Sequence, residues 1–267
     1  MLFFEISLVL FFAFFLSILA SFFNVVIYRT SRDETFSKGR SKCDHCHKMI
    51  AWYDNIPLSS FLLLKGKCRH CHKKIAKIYF LTELFAFFSG IFLYSAYVYL
   101  PFLQNLPISQ LAIYFLIFFI LCFTLLSDLQ YLIVPDFFVV LLSILAVSLQ
   151  FISGQSWFLP IIAVIFSTTF FYSLSFLAKK MLKKDALGFG DIKLMIPLSF
   201  LLSWPKVTLS IFLAFIIGGF FAMLVLITGR KKIGQVLPFA PFLILAVLIS
   251  FGFGDAIWQW YFGLILN

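Results

Sequence analysis

Four of the five cysteines and all four histidines fall between positions 43 and 72. They form a short repeat, Lys42-Cys43-Asp44-His45-Cys46-His47-Lys48 and Lys67-Cys68-Arg69-His70-Cys71-His72-Lys73, offset by 25 residues. Two C-x2-C pairs offer four soft thiolates that can close tetrahedrally on zinc. The metal would supply the folding energy that so small a segment cannot draw from a core of its own. Disulfides are the rival, but the charge pattern described below puts this segment in the cytoplasm, where thiols stay reduced. A redox role fits poorly, since the two pairs match each other and no thioredoxin-like pattern surrounds them. Cys43, Cys46, Cys68 and Cys71 are therefore the expected ligands of a structural zinc. The histidines could substitute, but four cysteines suffice, and the histidines read as exposed knuckle residues. Cys122, inside an apolar run, reads as an ordinary small apolar residue.

The second chemistry belongs to carboxylates at membrane depth. Of 11 acids, Glu83, Asp128, Asp136 and Asp191 lie at or near the ends of long apolar runs. An ionisable group there costs a few kcal/mol or more, which makes each a candidate for function. Asp128 ends one run, and Asp191 opens another directly after Gly188-Phe189-Gly190. Two carboxyl groups at hydrogen-bonding distance cannot both ionise easily. They share a proton, one acting as base towards water and the other as acid towards a carbonyl oxygen, which is what aspartyl peptide hydrolysis requires. The two glycines would let backbone or a substrate strand come close. The plainer readings stand beside this one. Asp191 could be a helix-end acid partnered by Lys193 or Lys184. Asp136, after Pro135, suits the N-terminal end of a helix. Glu83 could cap its helix or pair with Lys77, with substrate or cofactor contact as the sharper alternative.

What must position these groups is a membrane bundle. The chain has 267 residues, is 63% hydrophobic and only 12% charged, and has a mean hydropathy of +1.05. Soluble domains are nearer half apolar and a quarter charged, so a soluble enzyme, a nucleic-acid-binding domain and a disordered regulator are all excluded for the whole chain. Nearly charge-free runs occur at about 6–27, 79–100, 108–127, 132–152, 157–178, 207–228 and 238–264, with a shorter one at 192–204. A helix crosses the hydrocarbon with roughly 20 residues, which predicts an all-α polytopic membrane protein of about eight spans. The short run is read as a span whose beginning, at Gly188-Phe189-Gly190, sits at membrane depth under protein cover. The first run lacks the basic start and small-residue cleavage site of a signal peptide.

Charge orients the bundle. Net charge is +10, and twelve basic residues lie in 29–78: Arg29, Arg32, Lys38, Arg40, Lys42, Lys48, Lys65, Lys67, Arg69, Lys73, Lys74 and Lys77. Lys179, Lys180, Lys183, Lys184 and Lys193 form a second group and Arg230, Lys231 and Lys232 a third, leaving only Lys206. With eight alternating spans the three groups share one face. Basic loops stay cytoplasmic, so both termini are expected outside, with the cysteine segment and both aspartates inside. The expected organisation is a first transmembrane helix at 1–28, a cytoplasmic zinc-binding loop at 29–78 and a transmembrane catalytic domain at 79–267. Because topology already explains the basic excess, nucleic-acid binding by the knuckles is disfavoured.

Taken together, these segments resemble the type IV prepilin peptidases, the bifunctional leader peptidase/N-methyltransferases. The likeness begins at Ala20-Ser21-Phe22-Phe23-Asn24-Val25-Val26-Ile27-Tyr28-Arg29. It continues through the C-x2-C pairs enclosing Trp52-Tyr53-Asp54-Asn55-Ile56-Pro57 and Lys65-Gly66-Lys67-Cys68-Arg69, and through Tyr79 to Glu83. It then runs through Asp128-Leu129-Gln130-Tyr131-Leu132-Ile133-Val134-Pro135-Asp136 and Gly188-Phe189-Gly190-Asp191-Ile192-Lys193. Beyond about 205 only hydropathy and Pro238-Phe239-Ala240-Pro241 match. The resemblance implies eight transmembrane helices, a zinc-bound cytoplasmic loop and catalytic aspartates at Asp128 and Asp191. It also implies the reaction: removal of a short basic leader from a prepilin or pseudopilin at the inner face of a bacterial cytoplasmic membrane, usually after Gly. Methylation of the new N-terminal amine, usually of Phe, follows with S-adenosylmethionine as donor. No glycine-rich loop of the soluble methyltransferase kind is present, so no residue is assigned to that donor. His47 and His72 depart from the pattern, standing where Gly is common after each knuckle, and no proline stands near Ser31.

Three other functions compete. A different G-x-G-D intramembrane protease, of the presenilin, signal-peptide-peptidase or preflagellin-peptidase kind, would share the aspartates but lack the four-cysteine loop. A transporter using an acid pair as proton relay would favour the midplane and inverted repeats, and neither is found. A zinc-dependent scaffold would leave the aspartates idle.

Overall fold

The computed structural model describes residues 2–37, 39–182, 188–229 and 237–266. Lys38, Lys183, Lys184, Asp185, Arg230, Lys231 and Lys232, several of them used in the charge argument, lie outside the described residues. Eight long helices carry the described chain: α1 Leu2–Thr30, α2 Lys77–Tyr99, α3 Ile108–Tyr131, α4 Asp136–Ser153, α5 Phe158–Leu182, α6 Phe189–Leu202, α7 Lys206–Ile227 and α8 Ala240–Leu266. No strand occurs among the described residues. Seven of the eight helices are long and apolar enough to cross a membrane, and they coincide within a few residues with the seven long apolar runs.

The eighth is α6. It has 14 residues, about 21 Å at 1.5 Å per residue, short of the roughly 30 Å hydrocarbon core. It is nonetheless covered on most sides: Ile192, Leu194, Met195, Pro197, Leu198, Ser199 and Leu202 are all buried. A helix apolar all round belongs inside a bundle. It packs chiefly against α5 and α4. The Ser199 and Ser167 hydroxyls share a buried 2.6 Å hydrogen bond from α6 to α5.

The chain divides into two compact units, Met1–Phe115 and Leu116–Asn267. The first is built on the α1–α2 pair, which meets at small residues. A Cβ added at Gly90 would lie 2.9 Å from the Ala13 backbone, and Ala13, Ala20 and Ala86 are fully buried. Small residues let membrane helices approach closely where apolar burial alone drives nothing. Nearer the helix ends, Asn24 Nδ2 donates to Thr82 Oγ1 at 2.7 Å, a buried polar bond between α1 and α2. The second unit packs the rest of α3 with α4 to α8 around Phe119, Phe123, Phe138, Phe171, Leu194, Met195 and Leu243. Large apolar side chains such as Phe92 (70% exposed) and Phe151 (71%) point outward, where lipid would cover them. Lys206, the basic residue left over by the charge count, is ion-paired with Asp255 at 2.6 Å.

Candidate active site and metal centre

Asp128 sits one turn before the end of α3, and Asp191 is the third residue of α6. Both are buried, at 5% and 7% exposure, and Asp191 lies within reach of the Asp128 charge. The local sequence explains how they are brought near each other. After Asp128 the chain turns sharply. Leu132 N–H donates to the Asp128 carbonyl at 3.0 Å, and Leu132 takes a left-handed φ of 57°. The Ser127 hydroxyl, one residue before Asp128, ties down the Ile133 carbonyl at 2.8 Å. A leucine in that conformation is uncommon and marks a turn held by its surroundings.

The turn is then fastened to α6 on both sides of Asp191. A Cβ on Gly190 would lie 3.1 Å from Val134 Cβ and 3.2 Å from its Cγ2, so glycine is what lets α6 sit against the turn. Two residues beyond Asp191, Lys193 Nζ meets Asp136 Oδ1 at 2.7 Å, with its ammonium also 4.8 Å from the Phe189 ring centre. This corrects one expectation. Lys193 pairs with Asp136 at the start of α4 and not with Asp191; Lys184, the other suggested partner, lies outside the described residues. Asp136 is in the first turn of its helix and its side chain is 72% exposed.

Asp128 has a partner no residue-type pattern announced. Its Oδ2 accepts the backbone N–H of Ala240, the first residue of α8, at 3.1 Å in a buried bond. The carboxylate thus takes up one of the N–H groups that every helix start leaves without an internal acceptor. Pro238-Phe239-Ala240-Pro241, noticed in the sequence only as a likeness, is the segment that delivers it.

In the first unit the two knuckles fold as the repeat suggests. Cys43 N–H bonds the Lys48 carbonyl and His47 N–H the Cys43 carbonyl, while Cys68 with Lys73 and His72 with Cys68 repeat the pattern, all at 2.9–3.0 Å. Short bridges at Lys42–Met49 and Lys67–Lys74 flank them. The four sulfurs all lie within 4.8 Å of one another, and Cys43 and Cys71 are 3.8 Å apart. A tetrahedron with metal–sulfur bonds of about 2.3 Å has an edge of about 3.8 Å, so the cluster could hold a zinc ion. No histidine belongs to it, and all four are exposed. His47 and His72 have φ of 55° and 56°, the left-handed region that suits glycine, which explains why glycine would serve there. Backbone N–H groups of Cys71 and His70 bring the Cys68 thiol down to about 7. At Cys71 the Lys73 N–H works the same way, but burial and the neighbouring sulfurs outweigh it and push the thiol up to about 11.

The rest of the segment is fastened by charge. The Arg29 guanidinium spans the carbonyls of Phe36 (3.2 Å) and Gly39 (3.0 Å). Arg69 grips Asp54 with two bonds of 2.6 and 2.7 Å, which holds the Asp54 carboxyl below its ordinary range. Glu83 differs from expectation. It is buried, lies beyond the first turn of α2, and among the described residues forms no ion pair with a lysine. Its Oε2 accepts the Leu58 N–H at 2.9 Å, steadying a leucine whose φ is 62°.

Fold and site together define a multi-pass membrane protein built around a pair of buried carboxyl groups, with a four-cysteine cluster between its first two helices. Comparison with known proteins carries this further. Residues 14–98 match the bacterial peptidase A24 N-terminal domain, and residues 113–223 match the type IV leader peptidase family. The prepilin leader peptidase/N-methyltransferase of Aeromonas salmonicida is 27% identical over 231 residues, covering 85% of this chain and 76% of that protein. The protein of the same name from Legionella pneumophila is 28% identical over 230 residues (84% and 76%), and that from Bacillus subtilis 26% over 251 residues (94% and 96%). No solved structure gives a significant match. The chain belongs to the type IV leader peptidase family.

Proposed function

We propose that this protein is a prepilin leader peptidase that cleaves with Asp128 and Asp191 and also N-methylates the product. The observation that supports the reading is that two buried aspartates from different helices stand within electrostatic reach of each other, with Asp128 also accepting the Ala240 N–H. In the reaction, one carboxylate takes a proton from water as the water oxygen attacks the scissile carbonyl carbon. The other carboxyl gives its proton to the carbonyl oxygen. The tetrahedral intermediate then collapses, the carbon–nitrogen bond breaks, and the leaving amine departs with a proton, so one water has been added across the amide. Ala240 N–H fixes the direction of the Asp128 carboxylate throughout. The substrates are type IV prepilins or pseudopilins, whose apolar stems lie in the bilayer.

The membrane is the bacterial cytoplasmic membrane. The cysteine loop and dyad face the cytoplasm and both termini face outward, a reading supported by the tendency of basic loops to stay cytoplasmic. Cys43, Cys46, Cys68 and Cys71 hold a structural zinc. S-adenosylmethionine supplies the methyl group for the second reaction. The test is to incubate the purified protein with a candidate prepilin, with and without S-adenosylmethionine, and to weigh the product. Loss of the leader mass reports the peptidase and a gain of one methyl reports the transferase; an intact prepilin would overturn the reading.

A further inference from the structure

The loop between α1 and α2 is polar over most of its length but apolar along one stretch. Among the described residues of 31–76, six large apolar side chains are exposed, and five of them fall in 52–63: Trp52 (73% exposed), Tyr53, Ile56, Leu62 and Leu63 (81%). The sixth is Met49. We infer that this stretch is a membrane-surface anchor. It lies in the headgroup layer beside the start of α2 and buries Trp52, Leu62 and Leu63 at the acyl boundary of a leaflet that contains anionic phospholipid.

The helix α2 fixes the depth. It has 23 residues, about 35 Å at 1.5 Å per residue, so only its end turns project beyond roughly 30 Å of hydrocarbon. The stretch is tied to the first turns of α2 at two points. Glu83, six residues beyond the first residue of α2, accepts the Leu58 N–H at 2.9 Å. Phe61 stacks on Phe80, in the first turn of α2, with ring centres 4.7 Å apart. The short helix Ser59–Leu63 therefore lies at the level where α2 enters the bilayer. Ser60 is buried and Phe61 faces α2, while the next two residues, Leu62 and Leu63, stay uncovered by protein. The Ser60 hydroxyl donates to the Tyr53 carbonyl at 2.9 Å, which joins the turn Trp52–Asn55 to the same helix. Exposed apolar patches mark contacts with membrane or protein, and Trp and Tyr collect at bilayer interfaces. Charge decides for lipid. Lys65 and Lys67 follow the short helix directly, Lys73, Lys74 and Lys77 lead into α2, and all five are exposed. No acid stands between 55 and 82, and Asp54 is taken up by Arg69. Such a basic rim complements anionic headgroups, and lysine stems can lie along apolar surface while the ammonium stays among phosphates.

The experiment uses the full chain in nanodiscs of phosphatidylcholine and phosphatidylglycerol, with a photoreactive benzoylphenylalanine in place of Leu62, Leu63 or, as a control on the exposed knuckle, Lys48. After irradiation, mass spectrometry counts phospholipid attached to each site. Leu62 and Leu63 sites should carry at least about tenfold more lipid than the Lys48 site, as burial of an apolar face in the interface requires. Lipid yield at Leu63 no higher than at Lys48 would overturn the anchor, and so would cross-linking there to a second copy of the chain or to an added prepilin in place of lipid. In the Leu63 probe protein, Lys65→Glu with Lys67→Glu should cut the yield at least about threefold in the mixed nanodiscs and little in phosphatidylcholine alone. An equal yield in both lipids would overturn the selection of anionic headgroups. Thermal unfolding measured on each variant separates loss of anchoring from loss of fold: the yield should fall with the melting temperature unchanged, and a fall confined to variants that melt early would overturn the charge assignment.

Discussion

The bond from Ala240 N–H to Asp128 can be removed without touching either aspartate. Ala240 is the first residue of α8, where proline is well tolerated because its missing N–H has no intrahelical partner. Ala240→Pro deletes the donor 3.1 Å from Asp128 Oδ2. A hydrogen bond to a charged group contributes about 1.5–3 kcal/mol. If the bond orients the carboxylate in the transition state, its loss is worth roughly 10- to 150-fold in rate at 1.36 kcal/mol per decade. The proline ring also occupies the direction of the lost hydrogen and pushes the carboxylate aside, so this figure is a lower bound. Ala240→Gly keeps the N–H and is the control; it should cleave within about threefold of wild type. The assay is the initial rate of leader release from a prepilin in nanodiscs, followed by product mass, with thermal unfolding measured in parallel. A wild-type rate for Ala240→Pro in a folded protein would refute the orienting role, and an equal loss for Ala240→Gly would assign the effect to packing.

Gly190→Ala should place a methyl about 3.1 Å from Val134, lowering stability by about 1–3 kcal/mol and cleavage by more than the lost folded fraction explains, since Asp191 is the next residue; rate per folded molecule equal to wild type would refute this. His47→Gly and His72→Gly should each stabilise the cysteine loop by about 0.5–1 kcal/mol by relieving left-handed backbone, read as a higher chelator concentration needed for unfolding; a lower one would refute it. Asp54→Asn should destabilise at neutral pH, because Arg69 holds the Asp54 carboxyl below its ordinary range. A depressed folded value stabilises above the unfolded value near 3.9 and loses that contribution as pH falls through the folded value. The melting temperatures of wild type and Asp54→Asn should therefore converge only in acid, and a gap that persists there would count against the Arg69 pairing.

How much of this was legible in the sequence follows the physics of each feature. Spans are read from composition, because a bilayer demands about 20 apolar residues whatever surrounds them, and α1 to α5, α7 and α8 appear where the runs do. The knuckles are legible because local spacing alone brings each cysteine pair together. The partners of the acids were not legible. Lys193 lies two residues from Asp191 in sequence, yet its long side chain reaches Asp136 on α4. Asp128 and Glu83 are both met by backbone N–H groups, of Ala240 and Leu58. Every residue but proline carries such a donor, so no residue type betrays it. Gly190 was noticed as a place for close approach, but only the fold names Val134 as what approaches.

If Asp128 and Asp191 act as one unit on the scissile amide, as proposed, substituting both together reveals it. Leader cleavage by Asp128→Asn, Asp191→Asn and the double variant should be followed over days in folded, zinc-replete protein. Each single change should reduce the rate by at least about a thousandfold, and the double should fall little further, as groups that work together do. Wild-type cleavage by either single variant, or losses that simply multiply, would contradict it.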